Sequence, residues 1–347
     1  MNCHLLIPGL FLPRGAGAGP YDGLALPAVE TLLARGALLE FPGMSLERWL
    51  AAAFRVAPQH DLPLAPLALR GDGGDPGTDC WLQADPVHLR VYRDELVLAD
   101  AGSFEIVARE AAEMIAALNA HFAQDGLEFV APVPQRWYAR VRADPRIRTT
   151  PTAEVAGRGI ERFLPTGDDG PRWRRLSNEA QMLLHQLPCN EARETRRELV
   201  VNSVWLWGAG RMPDVPRDAP YGTIWSSHPL AAGLAAAAGL ALRALPPSAT
   251  QLIETLREVP GPGLIVLDGL RDAAGAGAQA WRAAVADLER LWFAPLLDAL
   301  GRGAVPAVTL HALGPHCSCT ATTTRLDRLK FWRPRRPLHD YAKAAAE

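Results

Sequence analysis

The sequence predicts an α/β protein: a mostly parallel sheet flanked by helices, with a smaller α+β segment inserted into it. Three observations carry this. The aliphatic runs His4-Leu5-Leu6-Ile7 and Leu264-Ile265-Val266-Leu267 end in Pro-Gly and Asp-Gly turns, as buried parallel strands do. Helical patterns alternate with such runs near both ends of the chain. Over 81–141 the texture changes to strand, strand, helix, strand, the pattern of a self-contained α+β unit.

Taken in order, a first strand is expected over 4–7, then a Gly/Pro-rich loop over 15–23 and a helix over 27–35 with Pro27 at its start. Ser45 is placed as the N-cap of a helix running to 53. The polar Gly/Asp/Pro stretch 70–78 is the expected boundary. Strands follow over 81–89 and 96–99 around Arg93-Asp94-Glu95, then a helix over 103–122 and a strand over 137–141. A helix over 172–187 is expected to stop at Pro188.

The stretch Val201-Asn202-Ser203-Val204-Trp205-Leu206-Trp207-Gly208-Ala209-Gly210 reads as a buried strand covered on both faces and opening into a Gly-x-Gly loop. Helices over 229–242, 251–258 and 278–300 and strands over 264–267 and 304–310 complete the core. From Arg325 the chain is basic, Pro-containing and expected to be surface tail. The expected division is a core of 1–75 and 195–320, an insertion of 76–194 and a tail of 321–347.

Composition bounds the function. A chain of 347 residues exceeds one ordinary core. Hydrophobic content of 48% with 21% charged residues describes a globular protein. The formal net charge of -2 provides no global field for nucleic acid, so no nucleic-acid partner is expected. The run 229–242, about 14 residues, falls short of the roughly 20 that span a bilayer, so no membrane partner is expected either. The start of the chain lacks a basic region followed by a long apolar core, and its five cysteines are scattered. Both features point to reduced thiols and the cytoplasm.

Four groups of residues are candidates for chemistry. Asp268 follows an aliphatic strand and Asp272 lies four residues on, where carboxylates serve as metal ligands or bases; Asp268 also suits a turn cap. His311, His316, Cys317 and Cys319 supply imidazole and thiolate, the donors of zinc or copper sites. A single Cys-x-Cys equally suits a loop of unligated thiols. Arg136, Arg140, Arg158, Arg193, Arg196 and Arg197 offer guanidinium forks for a phosphorylated or carboxylated ligand, or are solvated surface groups. Ser45 is either a nucleophile at a helix N-terminus or a plain cap.

In order, these pieces resemble the archaeal-type cofactor-independent phosphoglycerate mutases of the alkaline phosphatase superfamily. Asn202 to Gly210 is similar to that family's Asn-x-(hydrophobic)-Trp-Leu-Trp-Gly-x-Gly. Leu164-Pro165-Thr166-Gly167, Pro188-Cys189-Asn190-Glu191-Ala192-Arg193 and Asp272-Ala273-Ala274-Gly275-Ala276-Gly277 resemble further motifs. Ala84-Asp85-Pro86-Val87-His88-Leu89 and Gln181-Met182-Leu183-Leu184-His185 look like the bacterial RpfE-type regulatory proteins.

The resemblance implies an alkaline-phosphatase-like core and places Ser45 where the phosphorylated nucleophile stands. It puts Asp272 and His311 at metal-ligand positions, joined by the strand-end Asp268, and Asn190, Arg193 and Asn202 in substrate motifs, joined as candidate contacts by Arg140 and Arg158. The sequence departs from the family where a metal-binding Asp is replaced by Pro8-Gly9, where Ala276 replaces a His, and at Thr152-Ala153-Glu154. A two-metal site needs its carboxylates and imidazoles together. The departures therefore imply a regulatory protein without that site, binding a small anionic ligand or a protein partner. The alternative is a metal-dependent phosphatase or mutase, with manganese or zinc held by a rearranged set that includes His316.

Overall fold

The computed structural model describes residues 2–12, 19–256, 259 and 261–343. Of the expected elements, 15–18 of the Gly/Pro loop and 257–258 of a helix end lie outside these. The strands are β1 (Cys3–Pro8), β2 (Ala37–Pro42), β3 (Cys80–Tyr92), β4 (Glu95–Ala99), β5 (Leu127–Val133), β6 (Arg136–Val141), β7 (Ser203–Gly210), β8 (Thr223–Trp225), β9 (Ala241–Arg243), β10 (Gly263–Val266), β11 (Ala307–Leu313) and β12 (Cys317–Thr324). The chain separates into two units, Met1–Leu50 with Arg217–Glu347, and Ala51–Pro216. Residues 51–75 and 195–216 thus group with the second unit.

The first unit is built on a sheet of order β2-β12-β11-β1-β10-β8-β9. The five strands from β11 to β9 are parallel, and β12 runs antiparallel to both β11 and β2. Strand alternation sends Cys3, Leu5 and Ile7 to one face, where they join Ile265, Leu310 and Ala312 in a core sealed by Leu32, Trp281, Phe293 and Leu296. His4, Thr309, His311 and Thr320 alternate to the other face.

Helix Pro27–Arg35 forms as expected, with Pro in its first turn. The long helix expected over 278–300 runs to Arg302, with a π-helical stretch at Glu289–Phe293. β12 was expected to be a loop, and β2 is likewise added. The expected tail is corrected at its end: Leu338–Lys343 is helical, with Leu338 and Tyr341 in the core.

In the second unit β3 is the organiser. Its first residues pair with β6, its middle with β7 and its end with β4. The β3–β4 hairpin turns through Arg93 and Asp94, both at positive φ, which matches the right-handed strand twist. Helices Ala108–Phe122 and Gly170–His185 cover one face through Met114, Leu118, Trp173 and Leu176, packed on Trp137 and Leu206.

Three expectations are corrected here. The expected boundary stretch 70–78 is helical at its start, where Arg70 and Gly71 end the helix Leu64–Gly71. Pro188 starts a new helix, Pro188–Thr195, as well as ending the previous one. The Trp-Leu-Trp-Gly strand does not re-enter the parallel sheet; β7 pairs antiparallel with β3, Gln83 opposite Trp207 and Asp85 opposite Trp205. A β-branched and aromatic run suits either sheet, so only long-range pairing decides its place. Every residue of β7 is buried, so the expected cover on both faces is observed. Among the described residues no helix is long and apolar enough to cross a membrane.

Candidate functional site

The carboxyl edge of the parallel strands is where an open α/β sheet collects ligand-facing groups. Here β1 ends at Pro8-Gly9, β8 leads to Ser226, β10 to Leu267-Asp268 and β11 to Gly314. Since β2 and β11 are both antiparallel to β12, β2 ends at the same edge and delivers Ser45 there. The chain is held by Met44 N–H donating to the Gly314 carbonyl at 3.1 Å. A Cβ on Gly43 would meet the Pro315 backbone at 2.4 Å, so that approach requires glycine. At Gly9 the backbone takes a positive φ of 83°. Its carbonyl accepts Trp281 Nε1–H at 2.8 Å.

Ser45 caps helix Leu46–Ala53: its Oγ accepts the Arg48 N–H at 3.3 Å. Two residues on, Glu47 is buried and accepts Arg271 Nη1 at 2.9 Å. Burial alone pushes the Glu47 carboxyl up, but the charges of Arg271 and then His228 outweigh it, and the group ends below its ordinary range. The other carboxylate oxygen, Oε2, is buried without a hydrogen-bond partner among the described residues. His228 N–H donates to Ser226 Oγ at 3.0 Å. Neither Glu47 nor Arg271 was singled out from sequence, because their meeting joins positions 224 residues apart.

Asp268 sits in the turn before helix Gly269–Gly275, its carbonyl accepting Arg271 N–H at 3.2 Å, and Asp272 is exposed on that helix. His311 lies within β11, opposite Leu6 in the register, rather than at the edge. Its Nε2 lies 3.1 Å from His4 Nδ1, its Nδ1 lies 2.9 Å from Thr320 Oγ1, and the Trp49 ring stands 4.6 Å away. Burial, then the neighbouring His4, pushes the His311 imidazole down to about 3. His316 lies between β11 and β12. Cys317 and Cys319 lie on β12 with their side chains in the apolar core, and burial raises the Cys319 thiol to about 12.

The structure therefore does not bring Asp268, Asp272 and His311 into one ligand set. Among the described residues no three His, Cys, Asp or Glu side chains are grouped to hold a metal ion.

The expected substrate contacts all fall in the second unit. Arg193 is buried, with Nη1 on Glu110, Nε donating to the Leu199 carbonyl at 2.7 Å and Nη2 to that of Glu105 at 2.8 Å. Asn190 bridges Leu184 and Val201 through both ends of its amide, and Asn202 pairs with the N–H and carbonyl of Leu89. Arg140 pairs with Glu128 and Asp79, and Arg158 lies over the Phe163 ring. In each case the polar groups satisfy the unit's own fold.

The motif tryptophans serve that unit too. Trp205 Nε1–H donates to the Thr150 carbonyl at 2.8 Å, and Trp207 Nε1–H to Asp85 Oδ2 at 2.7 Å. Asp85 also accepts Gln83 Nε2 at 3.0 Å and the Thr152 hydroxyl. Burial raises its carboxyl to about 6 in spite of those donors. A lone carboxylate between Ala84 and Pro86 in an apolar strand was the available signal for it.

No family model matches the chain. The sequence similarity runs to the cofactor-independent phosphoglycerate mutases. A probable 2,3-bisphosphoglycerate-independent phosphoglycerate mutase of Geobacter sulfurreducens is 28% identical over 186 residues, 51% of this chain and 46% of that protein. The 2,3-bisphosphoglycerate-independent phosphoglycerate mutase of Methanothrix thermoacetophila is 33% identical over 110 residues, 30% of this chain and 28% of that protein. The chain thus matches less than half the length of these curated relatives. In structure, the PH0037 protein of Pyrococcus horikoshii superposes with a TM-score of 0.57 at 12% identity, covering 93% of this chain and 87% of that one. The fold is the one the mutase resemblance implied, a large mostly parallel sheet flanked by helices with a second, antiparallel sheet.

Proposed function

We propose that this chain is a mutase-like protein that acts in regulation by binding a small anionic ligand or a protein partner, and does not carry out two-metal phosphoryl transfer. One observation carries the reading. At the carboxyl edge of the parallel sheet Glu47, on the helix that Ser45 caps, pairs with Arg271, while among the described residues Asp268, Asp272 and His311 belong to no group of three that could hold a metal. Two-metal catalysis relies on clustered carboxylates and imidazoles to hold the ions that activate the nucleophile and neutralise the phosphoryl group. Ser45 in this setting is a helix cap. Cytoplasmic placement belongs to the same proposal, supported by buried cysteines that form no disulfide among the described residues and that a reducing compartment would keep as thiols.

The test combines phosphatase and mutase assays with manganese or zinc titrations followed by calorimetry, on the wild type and on Ser45→Ala. The expected result is no saturable metal binding and no metal-dependent turnover above the blank. Metal-dependent turnover that disappears in Ser45→Ala would overturn the proposal and establish a rearranged active site.

A further inference from the structure

The segment between β12 and helix Leu338–Lys343 plays no part in the function proposed above. Six cationic side chains, Arg325, Arg328, Lys330, Arg333, Arg335 and Arg336, stand there against one carboxylate, Asp327, in a chain whose formal net charge is -2. Interleaved with them are four bulky apolar residues turned to solvent: Leu326 (74% exposed), Leu329 (67%), Phe331 (80%) and Trp332 (65%). Exposed apolar residues scattered singly are ordinary, but four within seven positions form a patch of the kind that marks an interaction site.

The patch is held in place at several points. Asp327 accepts the Thr324 hydroxyl at 2.7 Å and pairs with Lys330 Nζ at 2.6 Å. Leu329 N–H donates to Leu326 and Lys330 N–H to Asp327, both at 3.0 Å, closing a tight turn. Arg333 Nη1 reaches the Gly36 carbonyl at 3.1 Å, and the chain then enters the core at Leu338 and Tyr341. Phe331 and Trp332 meet edge to face with centroids 5.3 Å apart, forming one wedge.

We propose that residues 325–336 dock on an anionic lipid surface. Leu326, Leu329, Phe331 and Trp332 enter the boundary between headgroups and acyl chains, and the arginines and Lys330 lie among the lipid phosphates. Basic and apolar side chains on one structured element are the two signals that together give stable peripheral attachment. The aliphatic pair favours lipid over nucleic acid, since base stacking uses aromatic faces and gains nothing from Leu326 or Leu329. A second copy of the chain would set like charges against like. Such attachment needs no spanning helix, so the composition argument against a membrane partner does not reach it.

Flotation of the full chain tests this, with vesicles of phosphatidylcholine alone and with about one quarter phosphatidylglycerol. The wild type is compared with Phe331→Ser/Trp332→Ser and with Arg325→Ser/Arg335→Ser/Arg336→Ser, whose thermal midpoints report folding. Binding is expected to anionic vesicles, about tenfold or more weaker to neutral ones and in each variant, and reduced by salt. Brominated acyl chains should quench wild-type fluorescence, and Trp332→Phe should lose most of that quenching. No binding to anionic vesicles, equal binding to neutral ones, or wild-type binding by both folded variants overturns the proposal. Tighter binding to a single-stranded oligonucleotide than to the vesicles also overturns it, in favour of nucleic acid.

Discussion

The Glu47 carboxylate accepts Arg271 Nη1 at 2.9 Å and so ties the helix after β2 to the helix after β10. Glu47 is fully enclosed, and Arg271 keeps 30% of its side chain exposed. Removing Arg271 leaves the carboxylate buried with its principal counter-charge gone. Arg271→Ala is expected to lose about 3 kcal/mol at neutral pH, measured by urea unfolding. The wild-type carboxyl, held below its ordinary 4.5, contributes stability above that pH and loses it as pH falls through the lower folded value. In the variant burial acts with less opposition, so the deficit should shrink on acidification. A deficit that stays constant down to pH about 4 would sink this account.

The His4–His311 pair carries a different pH signature. Burial lowers both imidazoles, His311 to about 3, with His4 as a second cause for His311. The fold thus favours the neutral ring. Stability from this source is complete above 6.5, the ordinary value, and is lost progressively as pH falls from there towards 3. NMR of the imidazole nitrogens should show His311 untitrated between pH about 7 and about 5. A midpoint near the ordinary value would contradict the burial argument.

Asp85 acts in the opposite sense. Its folded value of about 6 exceeds the ordinary 3.8, because burial outweighs the donors Thr152, Trp207 and Gln83. The folded state therefore binds the proton more tightly, and stability declines as pH rises from 3.8 through 6. The integrated effect is roughly 3 kcal/mol. Asp85→Asn should flatten this slope relative to the wild type, while the imidazole contribution persists in both. Parallel pH profiles for the two proteins would show that Asp85 does not titrate as stated.

Arg193 separates a structural role from a ligand contact. Its guanidinium and Glu110 are both buried, at 2% and 5% side-chain exposure. Arg193→Ala leaves Glu110, among the described residues, with the half-exposed Arg196 as its remaining ion-pair partner, and about 4 kcal/mol of stability should be lost. Chemical denaturation measures this directly. Unchanged stability would return Arg193 to the candidates for ligand binding.

Much of the fold was legible from pattern. The aliphatic runs at 4–7 and 264–267, the helix opened by Pro27 and the cap at Ser45 all rest on local periodicity and capping chemistry. β12 was hidden because Cys317-Ser318-Cys319-Thr320 lacks an aliphatic run, and its alternation acquires meaning only once Cys317, Cys319 and Ala321 face the core. The site was less legible. Motif residues such as Asn190, Arg193 and Asn202 look like ligand contacts in a linear string, yet they satisfy polar groups of the second unit.

The sequence by itself determined the α/β class, the positions of most helices and the resemblance to the mutases, since each depends on neighbouring residues or short motifs. Tertiary structure alone decided that β7 belongs with β3, that His311 is locked against His4, and that Glu47 meets Arg271. Those outcomes depend on pairing between distant segments. A strand's own residues specify its alternation but not its partner, and a carboxylate's environment is set by whatever charge the fold brings beside it.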